Sequence, residues 1–509
     1  MSAGIRDTGI AARELVSQDI FSKGTLVDAV LRPASVDEVV AIVRDCAERG
    51  IAVLPRGGGM SYTRGYLVAG APAVVLDLGA LAAVESVDEA DLSVVVQAGC
   101  TWQALHERLA PLGLRAPFHG TLSGRRASVG GTISQHGAFW GSAAHGVSAD
   151  SVLGLEVVAG SGEVIRTGAL ARDAVPAFFR HYGPDLTGLF TGDCGAFGVK
   201  TRIALCLERV PLCARELSFD FPGYRELLAA LAAVQQARCA TTVFGFDPFL
   251  VNLRARRASI AQDFRTLLGV VRGARSTSAG LRSTASLAAA GRGFLDDAAY
   301  TLHLIVEAGS DAAVDAASAA LRALAARLGA REIEPTIPKV TRAMPFPALN
   351  GILGPNGERW VPVHCVVPHS RAVAAMEAIL DVILSHEADM AAHCITTGTL
   401  FSTAGGGSAL IEPMFLWPDA LEALHRETVE PKVLARALPA PDAPAARAVV
   451  AALRADIIER TGALGAAHLQ IGRTYPYAQH LTPATRSFAT QLRRDLDPRG
   501  IMNPGVLGL

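Results

Sequence analysis

The 509-residue chain predicts an α+β fold on three observations. Near the start, an amphipathic helix feeds a short apolar strand that runs directly into a glycine run. In the second half, two strand–helix–strand units follow one another, the pattern of an antiparallel sheet backed by helices. Half of the residues are apolar and 19% charged, the balance of a globular protein with room for two or three cores.

The elements follow in order. Ser35 and Glu38 form a capping box before "SVDEVVAIVRDCAERG". Val36, Val39, Val40, Val43 and Ala47 then share one helical face, and Gly50 closes the helix. "IAVLP" is a buried strand, which places "RGGGMSYTRG" at a strand's carboxyl end, where α/β units bind ligands. Residues 73–78 and 92–99 are strands, and "TWQALHERLAPLG" is a short helix. Residues 120–146 are glycine-rich, "VLGLEVVAGSGEVIRTG" is a hairpin, and residues 198–211 form one more strand. Beyond Pro211 the texture changes. "YTLHLIVEAG" is a strand, followed by a helix capped by Ser310 and closed by Gly329. "RWVPVHCVVP", the helix "SRAVAAMEAILDVILSHE" and "DMAAHCITTGTLFST" form the second unit. Residues 273–293 are a loop or a loosely held helix, and "LPAPDAPAA" is a surface linker.

Composition narrows the function. Lysine and arginine total 47 against 48 acids, so no basic excess points to nucleic acid or anionic lipid. The longest charge-free run, residues 127–149, is too rich in Gly, Ser and His for a membrane span, and the first twenty residues lack a signal-peptide core. Eight cysteines without a CxxC pair fit a reduced, cytoplasmic protein and give no zinc site; no metal is expected.

The glycine run is neither of two familiar phosphate motifs. No helical period follows it, as a dinucleotide fingerprint requires, and Met60 stands where a P-loop needs its lysine. A tight surface turn is the plain reading of the run alone. Two further small-residue segments, "SVGGTISQHGAFWGSAAHG" and "GLFTGDCGAFGVKT", each abut a strand. Three such loops suit one long ligand, with an anion on the amides of residues 57–61.

These segments, with "RPASVDEVVAIVRDCAERGIAVLPRGGG" before them and "LDPRGIMNPG" at the end, resemble the vanillyl-alcohol oxidase and p-cresol methylhydroxylase flavoproteins across nearly the whole chain. The resemblance implies a two-part FAD-binding domain of PCMH type over residues 1–211. A cap domain with an antiparallel sheet covered by helices would span 212–472, and residues 473–509 would return to the FAD domain. The FAD-binding residues it implies are Arg56, Gly57, Gly58, Gly59, Met60 and Ser61 in the first segment. Ser128, Gly130, Gly131, Thr132, Ser134, Gly141, His145 and Gly146 follow in the second, and Gly195, Gly198 and Val199 in the third. Met60 stands where some members bond FAD through histidine, so noncovalent FAD is expected.

The resemblance also implies oxidation of a small-molecule CH–OH donor, with hydride passing to flavin and a proton to a protein base. His468 is a base or a hydrogen-bonded core histidine, and Arg473 is a carboxylate or phenolate ligand or an ion-pair partner. Tyr475 lines the pocket or is a buried aromatic, and His364 faces the flavin or is structural. Glu412 is an acid in an apolar run, either paired or functional, and Tyr62 is placed to reach substrate. "DLTGLF" and "DPRGIMNPG" resemble the D-lactate and glycolate branch, although "STAGGGSALIE" lacks that branch's histidine-rich metal motif. "GPNGERWVPVHCVVP" and "GRT" resemble the branch acting on para-substituted phenols and aryl alcohols. A non-catalytic flavin-fold or electron-transfer component is the third reading, and a homodimer is an admissible assembly.

Overall fold

The computed structural model describes residues 6–68, 70, 72–257 and 300–509; the expected loop at 273–293 lies outside them. The fold is α+β, as the sequence predicts. Helix Val36–Arg49 starts on its cap: Ser35 Oγ accepts from Glu38 N, and the Glu38 carboxylate accepts from Ala34 N. Its buried face is Val39, Ile42, Val43 and Cys46, turned slightly from the predicted stripe. Gly50 ends it in the left-handed region, and strand Ala52–Arg56 follows. That strand lies parallel to Ala73–Asp77 at the edge of a four-stranded sheet, and the glycine run leaves its carboxyl end.

A five-stranded antiparallel sheet stands beside it, ordered Val84–Asp88, Ser93–Gln97, Val199–Cys206, Val152–Val158, Val164–Arg166. The strand expected over 198–211 is split: Glu208–Arg209 leaves this sheet to pair with Leu114–Arg115. The third sheet has eight strands drawn from Cys213–Phe221 through Ser408–Trp417. Helices Tyr224–Ala237, Asp311–Arg327, Ala372–Ser385 and Pro444–Ala463 share one apolar core with it. Ser310 caps Asp311–Arg327 as expected, and Gly329, left-handed at φ 75°, closes it just after Leu328.

Two expectations fail in this half. "RWVPVHCVVP" is two strands, Arg359–Pro362 and Cys365–Pro368, both paired with Ser408–Trp417. The break falls at Val363 and His364 because His364 turns its backbone to side chains: its N–H donates to Tyr475 Oη (3.0 Å) and its carbonyl accepts from His468 Nδ1 (2.9 Å). "AAHLQIG" is not a strand. Ala467 makes one bridge to Val366, and Gln470 then turns into the left-handed region at φ 50°.

The tail closes the first sheet. Val53 N donates to Ile501 O (2.8 Å) and Asn503 N to Val53 O (2.9 Å), so the tail pairs with the exposed edge of the strand that carries the glycine run. The buried Asn503 side chain joins three segments. Its Nδ2 donates to Gly65 O and Cys194 O (2.7 Å each), and its Oδ1 accepts from Arg473 Nη2 (2.6 Å). Asn503→Ala strands two buried carbonyls and a guanidinium donor. The expected loss is about 2–4 kcal/mol in denaturant unfolding; a change under about 0.5 kcal/mol would show that the side chain holds nothing together.

Candidate active site

The three glycine-rich segments meet at the carboxyl end of Ala52–Arg56. A Cβ on Gly57 would fall on Ser128 Oγ, and one on Gly58 on the carbonyl oxygen of Arg126. The first two segments therefore approach more closely than a side chain permits. The third docks through Gly195, where an added Cβ would lie 3.2 Å from Pro55 Cγ. The glycines thus serve approach of chain to chain as well as the cradle expected from the sequence.

The cradle is chemically evident. The backbone amides of Gly57, Gly58, Gly59 and Met60 donate to nothing among the described residues. Arg56 is buried beside them; among the described residues its Nε and Nη2 have no partner, and its nearest carboxylate oxygen, on Asp77, is 3.8 Å away. Free amides in a turn with a buried guanidinium make an anion site. Lys200 reaches the same cavity wall, its Nζ 2.6 Å from Asp193 Oδ1 with both side chains buried.

The segments form one side of a cavity of about 1750 Å³. That exceeds the ~300–1,000 Å³ of a site for one drug-sized ligand. The cap sheet forms the facing side. Along Ser408–Trp417 the two-residue period sends Ala409, Ile411 and Phe415 to the helical core and Leu410, Glu412 and Met414 to the cavity. Glu412 accepts a hydrogen bond from Tyr62 Oη (3.2 Å), which joins the cap sheet to the segment just past the glycine run. Tyr62 stands edge-on to Trp360 with ring centroids 5.9 Å apart, and Gln470 is its second polar partner. Enclosure away from bulk water raises the Glu412 carboxyl to about 7, with the Tyr62 bond opposing the rise. Burial raises the Tyr62 hydroxyl well above its usual range, so it acts as a donor and not as a phenolate.

His364 also lines the cavity, but its ring is fully engaged: Nδ1 with Tyr475 Oη (3.1 Å) and Nε2 with the backbone of Leu469 (3.0 Å to N). Burial lowers its pKa to about 3, and that of His468 to about 4. His468 lies behind His364, stacked on Tyr475 at 4.2 Å; its Nδ1 carries the proton given to His364 O.

Of the residues anticipated from sequence, 56–62, 128, 130–132, 134, 195, 198, 364 and 412 line the cavity. Others stand elsewhere. Arg473 spends its guanidinium on Arg64 O (2.7 Å), Asn503 Oδ1 and Pro504 O, because the tail it anchors runs beneath the loop. His468 and Tyr475 form the layer behind His364 and are not on the cavity wall. Gly141 packs against Pro117 O, and His145 faces Glu208 at 3.6 Å. Gly146 turns toward the Asp150 carboxylate, and Val199 lies in the core of the five-stranded sheet. Sequence reasoning passed over Lys200 with Asp193, although a lysine within an apolar strand demands a buried partner. Among the described residues no group of three or more His, Cys, Asp or Glu could hold a metal, and no helix is long and apolar enough to cross a membrane.

Comparison with known proteins agrees with this geometry. Residues 27–168 match a family model described as an FAD binding domain. They belong to the PCMH-type FAD-binding family. The chain is 30% identical over 210 residues to the mitochondrial D-lactate dehydrogenase [cytochrome] of Arabidopsis thaliana, covering 41% of this chain and 35% of that one. It is 31% identical over 207 residues to a glycolate oxidase subunit of Bacillus subtilis (strain 168), covering 40% and 42%. The matches thus span well under half the length of these relatives. Among solved structures, p-cresol methylhydroxylase with substrate bound superimposes with a TM-score of 0.74 at 15% identity, covering 99% of this chain and 94% of that one. The 4-ethylphenol oxidase of Gulosibacter chungangensis gives 0.68 at 17% identity with the same coverage. These likenesses concern the fold. The unpartnered Arg56 nitrogens and the free amides of residues 57–60 fit the pyrophosphate of FAD, and the cavity has room for FAD together with a second molecule.

Proposed function

We propose that the protein is an FAD-dependent oxidoreductase acting on a CH–OH donor, with Glu412 as the base. The observation that carries this reading is the Glu412–Tyr62 pair on the cavity wall facing the glycine loops. FAD, when bound, supplies the acceptor for the hydride that leaves the donor carbon. The residues of this chain handle the rest. Arg56 and the amides of residues 57–60 hold the pyrophosphate. Glu412, poised near 7, takes the donor's hydroxyl proton as the carbonyl forms. Tyr62 orients Glu412 and stabilises its charged form by donation, and Gln470 steadies Tyr62. His364, with both ring nitrogens engaged, fixes the shape of the wall instead of moving a proton.

FAD is held without a covalent bond on this reading. Met60 offers only a thioether, His364 has no free ring nitrogen, and burial pushes the Cys194 thiol up to about 12, far from the reactive thiolate. Acid precipitation should release all of the flavin; yellow colour retained in the pellet contradicts a noncovalent site.

Glu412→Gln keeps the shape and a hydrogen-bonding partner for Tyr62 but removes the base. Anaerobic flavin reduction by an alcohol donor should slow about 10²–10⁴-fold at pH 8, with bound FAD unchanged. A rate within threefold of the unmodified protein would remove Glu412 from the chemistry.

A further inference from the structure

The polarity of the cavity is divided, and the division bears on the donor. This inference rests on the reading of Glu412 as the base. On the glycine-loop side stand Arg56, Lys200 and the free amides. Leaving Glu412 along the cap, the wall becomes apolar. Leu400 is its cross-strand partner, and Met414 is its neighbour on the same face. Both pack with Phe139, Leu250, Leu253 and Ile337 around one hydrophobic cluster, and each of these also lines the cavity. Val340 and Met344, on and just after helix Thr336–Ala343, extend that wall.

Polar atoms along the wall are largely spent. Ser402 Oγ donates to Val243 O (2.9 Å), and Thr341 Oγ1 donates to Ile337 O (2.7 Å). Buried Thr336 Oγ1 has no partner among the described residues and can meet a polar atom of a ligand. Among the described residues no cation acts on Glu412, whose proton affinity is set by burial and Tyr62. A carboxylate placed beside Glu412 would lose its hydration and gain no counter-ion among the described residues, a cost of several kcal/mol per ion. A hydrocarbon chain along the corridor would gain from every buried methylene. Arg473, the residue that could have paired a carboxylate, is held by the tail instead.

The geometry points to a neutral donor with an extended apolar body, of the long-chain alcohol class, whose CH–OH end lies at Glu412 and whose chain runs past Leu400, Leu250, Leu253, Ile337 and Val340. The oxidation balances simply: the donor C–H bond breaks with both electrons leaving as hydride to FAD, the O–H proton goes to Glu412, and a carbonyl remains.

The test uses the FAD-loaded protein with two probe series. One is 1-alkanols from six to twelve carbons, with D-lactate and glycolate alongside, scored by anaerobic flavin bleaching. The other is methyl alkyl ethers of the same lengths, which carry no CH–OH group, scored by calorimetric binding. The expected result is ether binding that tightens about fourfold per methylene, alkanol reduction whose half-saturating concentration falls in parallel, and no saturation by lactate or glycolate. Val340→Glu and Ile337→Trp, both on a half-buried helix, should weaken ether binding at least tenfold and leave the FAD content unchanged. Ether binding without alkanol bleaching would support the corridor and overturn only the catalytic reading. Saturable bleaching by lactate or glycolate, with ether affinity independent of chain length, would overturn the apolar donor while leaving the oxidoreductase reading intact. Failure of every ether to bind would also overturn the corridor.

Discussion

Everything in this protein hangs on how closely three bare stretches of backbone pack at one end of one strand. Gly57 and Gly58 lie so near Ser128 and Arg126 that no Cβ fits between them, and Asn503 pins the first and third stretches through Gly65 O and Cys194 O. This packing leaves a row of amides with no partner among the described residues. Amides that line a cavity without an internal partner are open to an acceptor, and an anion at residues 57–60 would supply one. Arg56, buried with two unpartnered nitrogens, belongs to the same arrangement.

The second constraint is the alternation of one strand. Ser408–Trp417 gives Ala409, Ile411 and Phe415 to the helical core and Leu410, Glu412 and Met414 to the cavity, so a carboxylate can stand among apolar side chains without disturbing the core. The break in the facing strand at His364 is filled by Tyr475 and His468, which take up its backbone N–H and carbonyl. That arrangement engages both histidines that the sequence offered as catalytic candidates. Their polar atoms complete an interrupted sheet, and burial keeps both rings neutral.

Much of this was legible beforehand. Helix Val36–Arg49, its cap and the strand before the glycines follow from spacing and capping chemistry alone. The glycine segments could be related to one ligand because each abutted a strand. Glu412 stood out as an acid in an apolar run, and Tyr62 as the first aromatic beyond the loop. What was not legible depended on tertiary contacts. Arg473 sits amid candidate ligands in sequence, but its partners are the Arg64 carbonyl, distant along the chain, and Asn503 Oδ1 and Pro504 O in the tail segment. "AAHLQIG" has the period of a strand, yet Gln470 N donates to Gln135 O (2.8 Å), a contact that turns the backbone left-handed and aims the chain at Tyr62. Lys200 was hidden because its partner Asp193 lies in the glycine segment, where small residues and not charges draw attention.

The account stands on a carboxylate that changes protonation near neutrality while it faces the donor. Its most direct measurement is the rate of anaerobic flavin reduction by a saturating neutral alcohol from pH 5 to 9. With Glu412 as a base near 7, the rate should climb about tenfold per pH unit on the acid side and level off above 7, because only the ionised carboxylate accepts the proton. A rate that is flat across this range, or that falls as pH rises through 7, would contradict it.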